Sequence, residues 1–273
     1  MVGDTATQVS GRALLPPGLL IAASQGEITP LFGLIAALQP VYWHAQGLVC
    51  APRAGPDDRE ATASLDALPL PSRRLDEVPG WPSPPAAWVG GWYRRSPDHA
   101  PAPPGVPELI QVGGGGFGLG DHPTTAMCLA ALRGLPAGPA IDVGCGSGLL
   151  TQAWTALDQG PVIAIDLDPA ALDHTRRSLA AARMSTIIDV RRAAVAALTP
   201  AEVDGRVLLA NVPTALHLDL LERITTPPPA AVLSGMRIGE GAEIARRYRQ
   251  LDLRATSVAR SGRWERWTLL QRA

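Results

Sequence analysis

The sequence predicts an α/β fold: a seven-stranded, mostly parallel sheet that ends in a C-terminal antiparallel hairpin, preceded by a small α+β domain. Three observations predict it. From about Thr124 onward, short apolar runs rich in Val, Ile and Leu alternate with amphipathic stretches of helical length. A glycine-rich turn, Gly144-Cys145-Gly146-Ser147-Gly148, stands between one such run and the next helical stretch. Only Arg260-Ser261-Gly262-Arg263 separates the last two strands, too little chain for a crossover helix.

Residues 1–52 read as the small α+β domain. Gly18–Ala23 has the composition of a short strand. Ile28–Leu38 carries apolar residues at helical spacing, with Thr29-Pro30 at its start, and Val41–His44 and Gly47–Ala51 read as strands around a turn. Residues 53–108 are rich in Pro, Ser and Asp, with Trp81, Trp88, Trp92 and Tyr93 interspersed. They read as a linker and an irregular segment docked by its aromatics.

Residues 109–273 read as the main domain. Thr124–Gly134 is expected to be a helix. Strands are expected at Ala140–Val143, Val162–Asp166, Ile187–Arg191, Val207–Ala210 and Ala231–Ser234. Helices are expected at Leu149–Leu157, Pro169–Arg183, Thr214–Ile224 and Glu240–Gln250, and Arg254–Ala259 with Trp264–Gln271 forms the closing hairpin. Such alternation builds right-handed crossovers on a parallel sheet. A dinucleotide dehydrogenase has six parallel strands, whereas seven with a final hairpin is the class I methyltransferase (Rossmann-like) layout.

Composition excludes several classes. The 273 residues carry a formal charge of −1, so no global field draws the chain to nucleic acid or to a membrane. No apolar run approaches the roughly 20 residues that span a bilayer. The segment Met1–Arg12 lacks the basic start and apolar stretch of a secretory signal. Cys50, Cys128 and Cys145 are widely spaced, which argues against a disulfide framework and a metal site. A cytoplasmic protein is expected; its oligomeric state is not legible. Every basic residue is Arg, the only Asn is Asn211, and Phe occurs only as Phe32 and Phe117. Genomic base composition explains this bias, so an Asn or Phe that persists under it marks a position that needs that side chain.

The turn at Gly144, Gly146 and Gly148 lets the backbone approach a ligand where a Cβ would clash, and it opens a helix whose free N–H groups favour an anionic group. Asp166 ends the next strand, about 20 residues on, where an acid accepts hydrogen bonds from two ribose hydroxyls. Both features fit NAD and S-adenosylmethionine alike. Asp168 reads as the cap of the helix that starts at Pro169. Asp142 is expected either to bond the backbone of the glycine loop or a water near a cofactor ammonium, or to be purely structural. Cys145 reads as a small buried residue. Asn211 ends the fourth strand, on the edge where open parallel sheets bind ligands. Its amide oxygen can accept a substrate N–H and aim the nitrogen lone pair at a methyl donor.

The segment Phe117-Gly118-Leu119-Gly120-Asp121-His122-Pro123-Thr124-Thr125 resembles the F-G-T-G-x-H-x-T-T signature of the PrmA-type ribosomal protein L11 methyltransferases. Asp142 to Gly148 resembles their D-x-G-x-G-S-G, and Ile165 to Pro169 their I-D-I-D-P. Ala210-Asn211-Val212, Leu233 to Met236 and Gly262 to Thr268 resemble their A-N-[IL], L-S-G-I and closing G-E-W segments. The resemblance covers residues 109–273. It implies S-adenosylmethionine as cofactor, bound at Thr125, Gly144, Asp166 and Asn211. It also implies a methyl-transfer pocket bordered by Phe117, with His122 opening the adjacent helix, and a protein or peptide amine as acceptor, a ribosomal protein among them. Two positions depart from the pattern: Leu119 replaces a Thr, and Ala193-Ala194 offers no acid for an adenine amine.

His122, His217 and Asp121 are candidate bases, although His217 reads as a partly buried surface residue. Three other readings stand beside protein N-methylation. A small-molecule methyltransferase and a non-catalytic scaffold share the same fold. An NAD-dependent dehydrogenase would need a Tyr-Lys pair or an equivalent proton donor, and the chain has no Lys.

Overall fold

The computed structural model describes residues 18–21, 38–44, 47–52, 72–75, 86–112, 117–184 and 188–272. The chain forms two compact units, Met1–Pro82 and Ser83–Ala273. In the first, β1 (Gly18–Ile21), β2 (Leu38–His44), β3 (Gly47–Pro52) and β4 (Ser72–Leu75) pair antiparallel in the order β2-β3-β1-β4. The first three fall where the sequence puts strands. β4, Ser-Arg-Arg-Leu, has no period-two alternation to betray it and lies in the segment read as linker. The helix expected over Ile28–Leu38 lies outside the described residues, apart from Leu38, which begins β2.

The second unit begins with a small sheet that the sequence reading missed: β5 (Ala87–Val89), β6 (Trp92–Arg95) and β7 (Glu108–Ile110). Residues 83–108, read from the sequence as linker, fall in the second compact unit. Strands of three and four residues are too short to show a period. The local cue was Gly90-Gly91, whose φ values of 57° and 83° suit a two-residue hairpin turn. β7 returns parallel to β6, and Trp92 and Leu109 are fully buried between this sheet and the helix that follows.

The main sheet contains β8 (Ala140–Val143), β9 (Val162–Asp166), β10 (Ile188–Arg192), β11 (Val207–Asn211), β12 (Ala230–Arg237), β13 (Leu253–Ser261) and β14 (Trp264–Gln271). Their order is β10-β9-β8-β11-β12-β14-β13, with only β14 antiparallel to its neighbours. The hairpin turn shrinks to Gly262-Arg263 because β13 runs on to Ser261. The helices are α1 (Pro123–Ala131), α2 (Leu149–Ala156), α3 (Pro169–Ala181), α4 (Pro200–Val203), α5 (Thr214–Leu221) and α6 (Gly241–Arg249). α4, a single turn closed by a Thr199–Glu202 capping box, was not anticipated. α3 stops before the expected Arg183 because that residue turns left-handed, at φ 56°.

Strand alternation builds a core on each face of the sheet. Ile141, Val143, Leu208, Ala210 and Leu233 pack with Leu220, Ile244 and Tyr248 of α5 and α6. Ala140, Val162, Val207, Leu209 and Val232 pack with Leu129, Leu150 and Trp154 of α1 and α2. Strand order reverses between β8 and β11, which opens a crevice beyond their C-terminal ends. Among the described residues, no helix is long and apolar enough to cross a membrane, and no group of His, Cys, Asp and Glu could hold a metal ion.

Candidate active site

The crevice at the strand reversal holds a small, open pocket walled by the glycine turn, Asp142, Thr125, Phe117, Leu150 and Asn211. The turn leaves β8 with Gly144, Gly146 and Gly148 at φ values of 67°, 56° and 79°, all left-handed. These glycines are also packed closely. A Cβ on Gly144 would approach Val212 to 2.6 Å, one on Gly148 would approach Thr175 to 2.8 Å, and one on Gly146 would collide with the Phe117 carbonyl. That carbonyl accepts the Ser147 N–H at 2.8 Å, and the Ser147 hydroxyl donates to the Gly118 carbonyl at 2.8 Å. The Phe117–Asp121 loop thus lies over the glycine turn. Sequence reasoning gave Ser147 no such role, because its partners are backbone atoms of a segment 29 residues earlier.

Asp166, at the end of β9, accepts the Gly146 N–H at 3.0 Å and the Asp168 N–H at 2.9 Å on separate oxygens. Asp168 caps α3 as expected, accepting the Ala170 N–H at 2.9 Å. Asp142 is fully buried, and the Thr151 hydroxyl donates to it at 2.6 Å. Burial pushes its carboxyl up to about 7; hydrogen bonds from Thr151 offset part of this, and the charge of Asp166 adds to it.

Asn211 ends β11, and its Nδ2 lies 3.4 Å from the hydroxyl of buried Thr125 on α1. Its Oδ1 is buried and has no hydrogen-bond partner. A buried amide oxygen left unpaired is costly, so this atom marks where a donor belongs.

His122 is the N-cap of α1, and its Nδ1 accepts the Thr124 N–H. Its ring lies between Phe117, at a centroid distance of 5.4 Å, and Trp264, at 4.8 Å. Burial and the nearby charge of Arg263 hold its pKa below the usual value. The exposed ring of Phe117 borders the pocket. Trp264 was not singled out from the sequence, because only the folding back of the final hairpin brings it to His122.

His217 corrects an expectation. It is fully buried, with Nε2 2.9 Å from the Ser234 carbonyl, and so ties α5 to β12. Its helix packs its apolar face on the sheet, and the ring goes inward with it. Burial lowers its pKa. Asp121 pairs with Arg94 at 3.0 Å and so holds the loop. Cys145 is buried beside Thr175, and burial pushes its thiol well up.

Residues 108–272 match the sequence model of the family described as ribosomal protein L11 methyltransferase (PrmA). The chain is 31% identical over 184 residues to the ribosomal protein L11 methyltransferase of Myxococcus xanthus, covering 66% of this chain and 61% of that protein. It is 37% identical over 131 residues to that of Symbiobacterium thermophilum, covering 47% of this chain and 41% of that protein. To that of Alteromonas mediterranea it is 29% identical over 255 residues, covering 92% and 83%. The chain therefore spans less than two thirds of the first two relatives. The crystal structure of a ribosomal protein L11 methylase from Lactobacillus delbrueckii subsp. bulgaricus superimposes with a TM-score of 0.57 at 20% identity, over 67% of this chain and 96% of that one. That likeness and the strand order give the class I methyltransferase fold, and with the match over residues 108–272 the chain belongs to the ribosomal protein L11 methyltransferase (PrmA) family.

Proposed function

We propose that this chain binds S-adenosylmethionine at the ends of β8, β9 and β11 and transfers its methyl group to an amine of a protein, with ribosomal protein L11 the first acceptor to test. The observation that carries the reading is the buried, unpartnered Oδ1 of Asn211 in the pocket wall beside the glycine turn.

The residues present fit this cofactor. Each Asp166 oxygen holds one backbone N–H and keeps lone-pair capacity for a ribose hydroxyl. Asp142 can face an ammonium, and Gly144 to Gly148 give a ligand close access to backbone N–H groups. When bound, the cofactor supplies an electrophilic methyl group on a sulfonium.

The chain's own residues orient and desolvate. The Asn211 amide oxygen accepts an N–H of the incoming amine and holds its lone pair toward the pocket. Thr125 fixes which way that amide faces. Phe117 and Leu150 shed water from the nitrogen. A free Lys titrates at about 10.4 and an α-amine at about 7.7–8.0. Entry into this pocket lowers both and favours the neutral nucleophile. In this reading the N-terminal unit recognises the acceptor protein, and a ribosomal acceptor implies a cytoplasmic location.

The test is calorimetric titration with S-adenosylmethionine, S-adenosylhomocysteine and NAD, alongside Asp166→Ala, followed by mass spectrometry of ribosomal protein L11 incubated with enzyme and cofactor. Binding of the two sulfur cofactors, lost in the variant, together with mass increments of one methyl group on L11 amines, supports the reading. Binding of NAD alone sinks it. Cofactor binding without methylation of L11 redirects the search to another acceptor.

A further inference from the structure

We infer that Arg94 is a positioning residue for the cofactor site: from β6 it holds the Phe117–Asp121 loop in register over the glycine turn. This rests on the cofactor reading above. Arg94 is 1% exposed, and its Nη1 donates both to the Leu119 carbonyl and to the Asp121 carboxylate. A guanidinium is buried at a cost that only good pairing offsets, and removing its partner role leaves a geometry undefined. The loop it grips needs defining. Gly118 and Gly120 sit at φ 85° and 96°, so the loop has little intrinsic rigidity. Gly120 packs under Val89 and the stem of Arg94, where a Cβ would come within 3.1 Å of Val89.

The other end of the loop carries the consequence. Phe117 and Gly118 present their carbonyls to the Ser147 N–H and hydroxyl, and there is no room between Gly146 and the Phe117 carbonyl for even a methyl group. Arg94 and Ser147 therefore pin the loop at its two ends. The same small sheet sets a second wall. The Gly90 turn abuts α1 so closely that a Cβ there would collide with the Ala126 carbonyl, one residue from the Thr125 that meets Asn211. A loop freed from Arg94 shifts over the turn and opens the methionine end of the pocket.

The experiment measures the dissociation constant of S-adenosylhomocysteine by calorimetry for wild type, Arg94→Met, Arg94→Lys and Ile244→Ala. The last removes a buried side chain on α6, away from the pocket, and controls for lost stability. Arg94→Met is expected to weaken binding about tenfold, the factor that 1.4 kcal/mol represents. Arg94→Lys should recover part of this, since an ammonium keeps donors but not the fork. Ile244→Ala should melt lower with its affinity unchanged. Unchanged affinity in Arg94→Met, or equal weakening in Arg94→Met and Ile244→Ala, overturns the inference while the cofactor reading stands. A wild type that fails to bind sinks both. Should Arg94→Met not fold, Arg94→Lys decides, with weakened binding in support and unchanged binding against.

Discussion

In the proposed cofactor site, Asp142 is expected to make binding a proton-linked event. Its carboxyl is pushed up to about 7 from the ordinary 3.8 by burial. That rise corresponds to about 4 kcal/mol against the ionised form. Near pH 7, then, the ligand-free protein is divided between carboxylic acid and carboxylate at this position. A ligand ammonium beside Asp142 favours the carboxylate, so binding expels a proton wherever the free protein holds one. Affinity for S-adenosylhomocysteine should rise with pH, approaching about tenfold per pH unit below 7 and levelling off above it. Calorimetry in two buffers of different ionisation enthalpy counts the protons released, and Asp142→Asn should flatten the pH dependence. Stability runs the other way. The folded value lies above the unfolded one, so this group's contribution is full below about pH 4, is lost as pH rises to 7, and is constant beyond. Affinity that is flat from pH 6 to 8, with no proton released, would refute the pairing of Asp142 with a cationic group.

Three more expectations follow from the geometry. Asn211→Ala should lower the turnover number about a hundredfold by losing amine orientation, while S-adenosylhomocysteine affinity by calorimetry changes little; an active variant would remove Asn211 from the mechanism. Gly146→Ala forces a Cβ into the Phe117 carbonyl at a left-handed φ of 56°. It should cost about 1–3 kcal/mol of stability, seen as a lower melting temperature with weakened cofactor binding, and a neutral effect on both would contradict the close packing of loop on turn. Burial raises the Cys128 thiol to about 12 and lifts that of Cys145 as well. Peptide mapping after iodoacetamide treatment at pH 8 should find both unmodified in the folded protein and alkylated after denaturation, and rapid native labelling of Cys145 would mean that the glycine turn opens.

The central strands of the main sheet were legible because they are buried on both faces. β8, with all four residues buried, reads as an apolar run interrupted only by Asp142 and bounded by Pro139 and Gly144, and β9 was placed to the residue. The glycine turn, Asp166 and Asn211 were legible for a related reason: the crevice lies where strand ends must fall, so position in the alternation places the side chain. Legibility failed where partners are distant and elements short. β4 to β7 have three or four residues each and no periodic signal. Arg94 and Arg95 are indistinguishable as adjacent arginines in the sequence, yet alternation along β6 buries Arg94 and leaves Arg95 to pair with Glu108 at 2.9 Å. His217 was misjudged because a polar side chain on a short helix gives no sign that a backbone carbonyl awaits it inside.

The three base candidates converge on a mechanism without a committed proton acceptor. His217 donates from Nε2 to the Ser234 carbonyl inside the protein, away from the pocket wall. Asp121 is held by Arg94 and largely exposed. His122 caps α1 through Nδ1, which leaves the proton of the neutral ring on Nε2, the wrong tautomer for taking another. The charge of Arg263 further opposes a second proton on that ring. What remains is electrostatics: an apolar wall at Phe117 and Leu150, the nearby positive charge of Arg263, and an amide oxygen at Asn211 that accepts an N–H without removing it. The apolar wall and the Arg263 charge favour a neutral amine over its ammonium, whereas the amide oxygen, which binds an ammonium N–H at least as well, orients rather than selects; in the proposed reaction the proton leaves to solvent before the nitrogen is seated. In the proposed function the pocket's part is to admit the neutral form and orient it, the role proposed for Asn211.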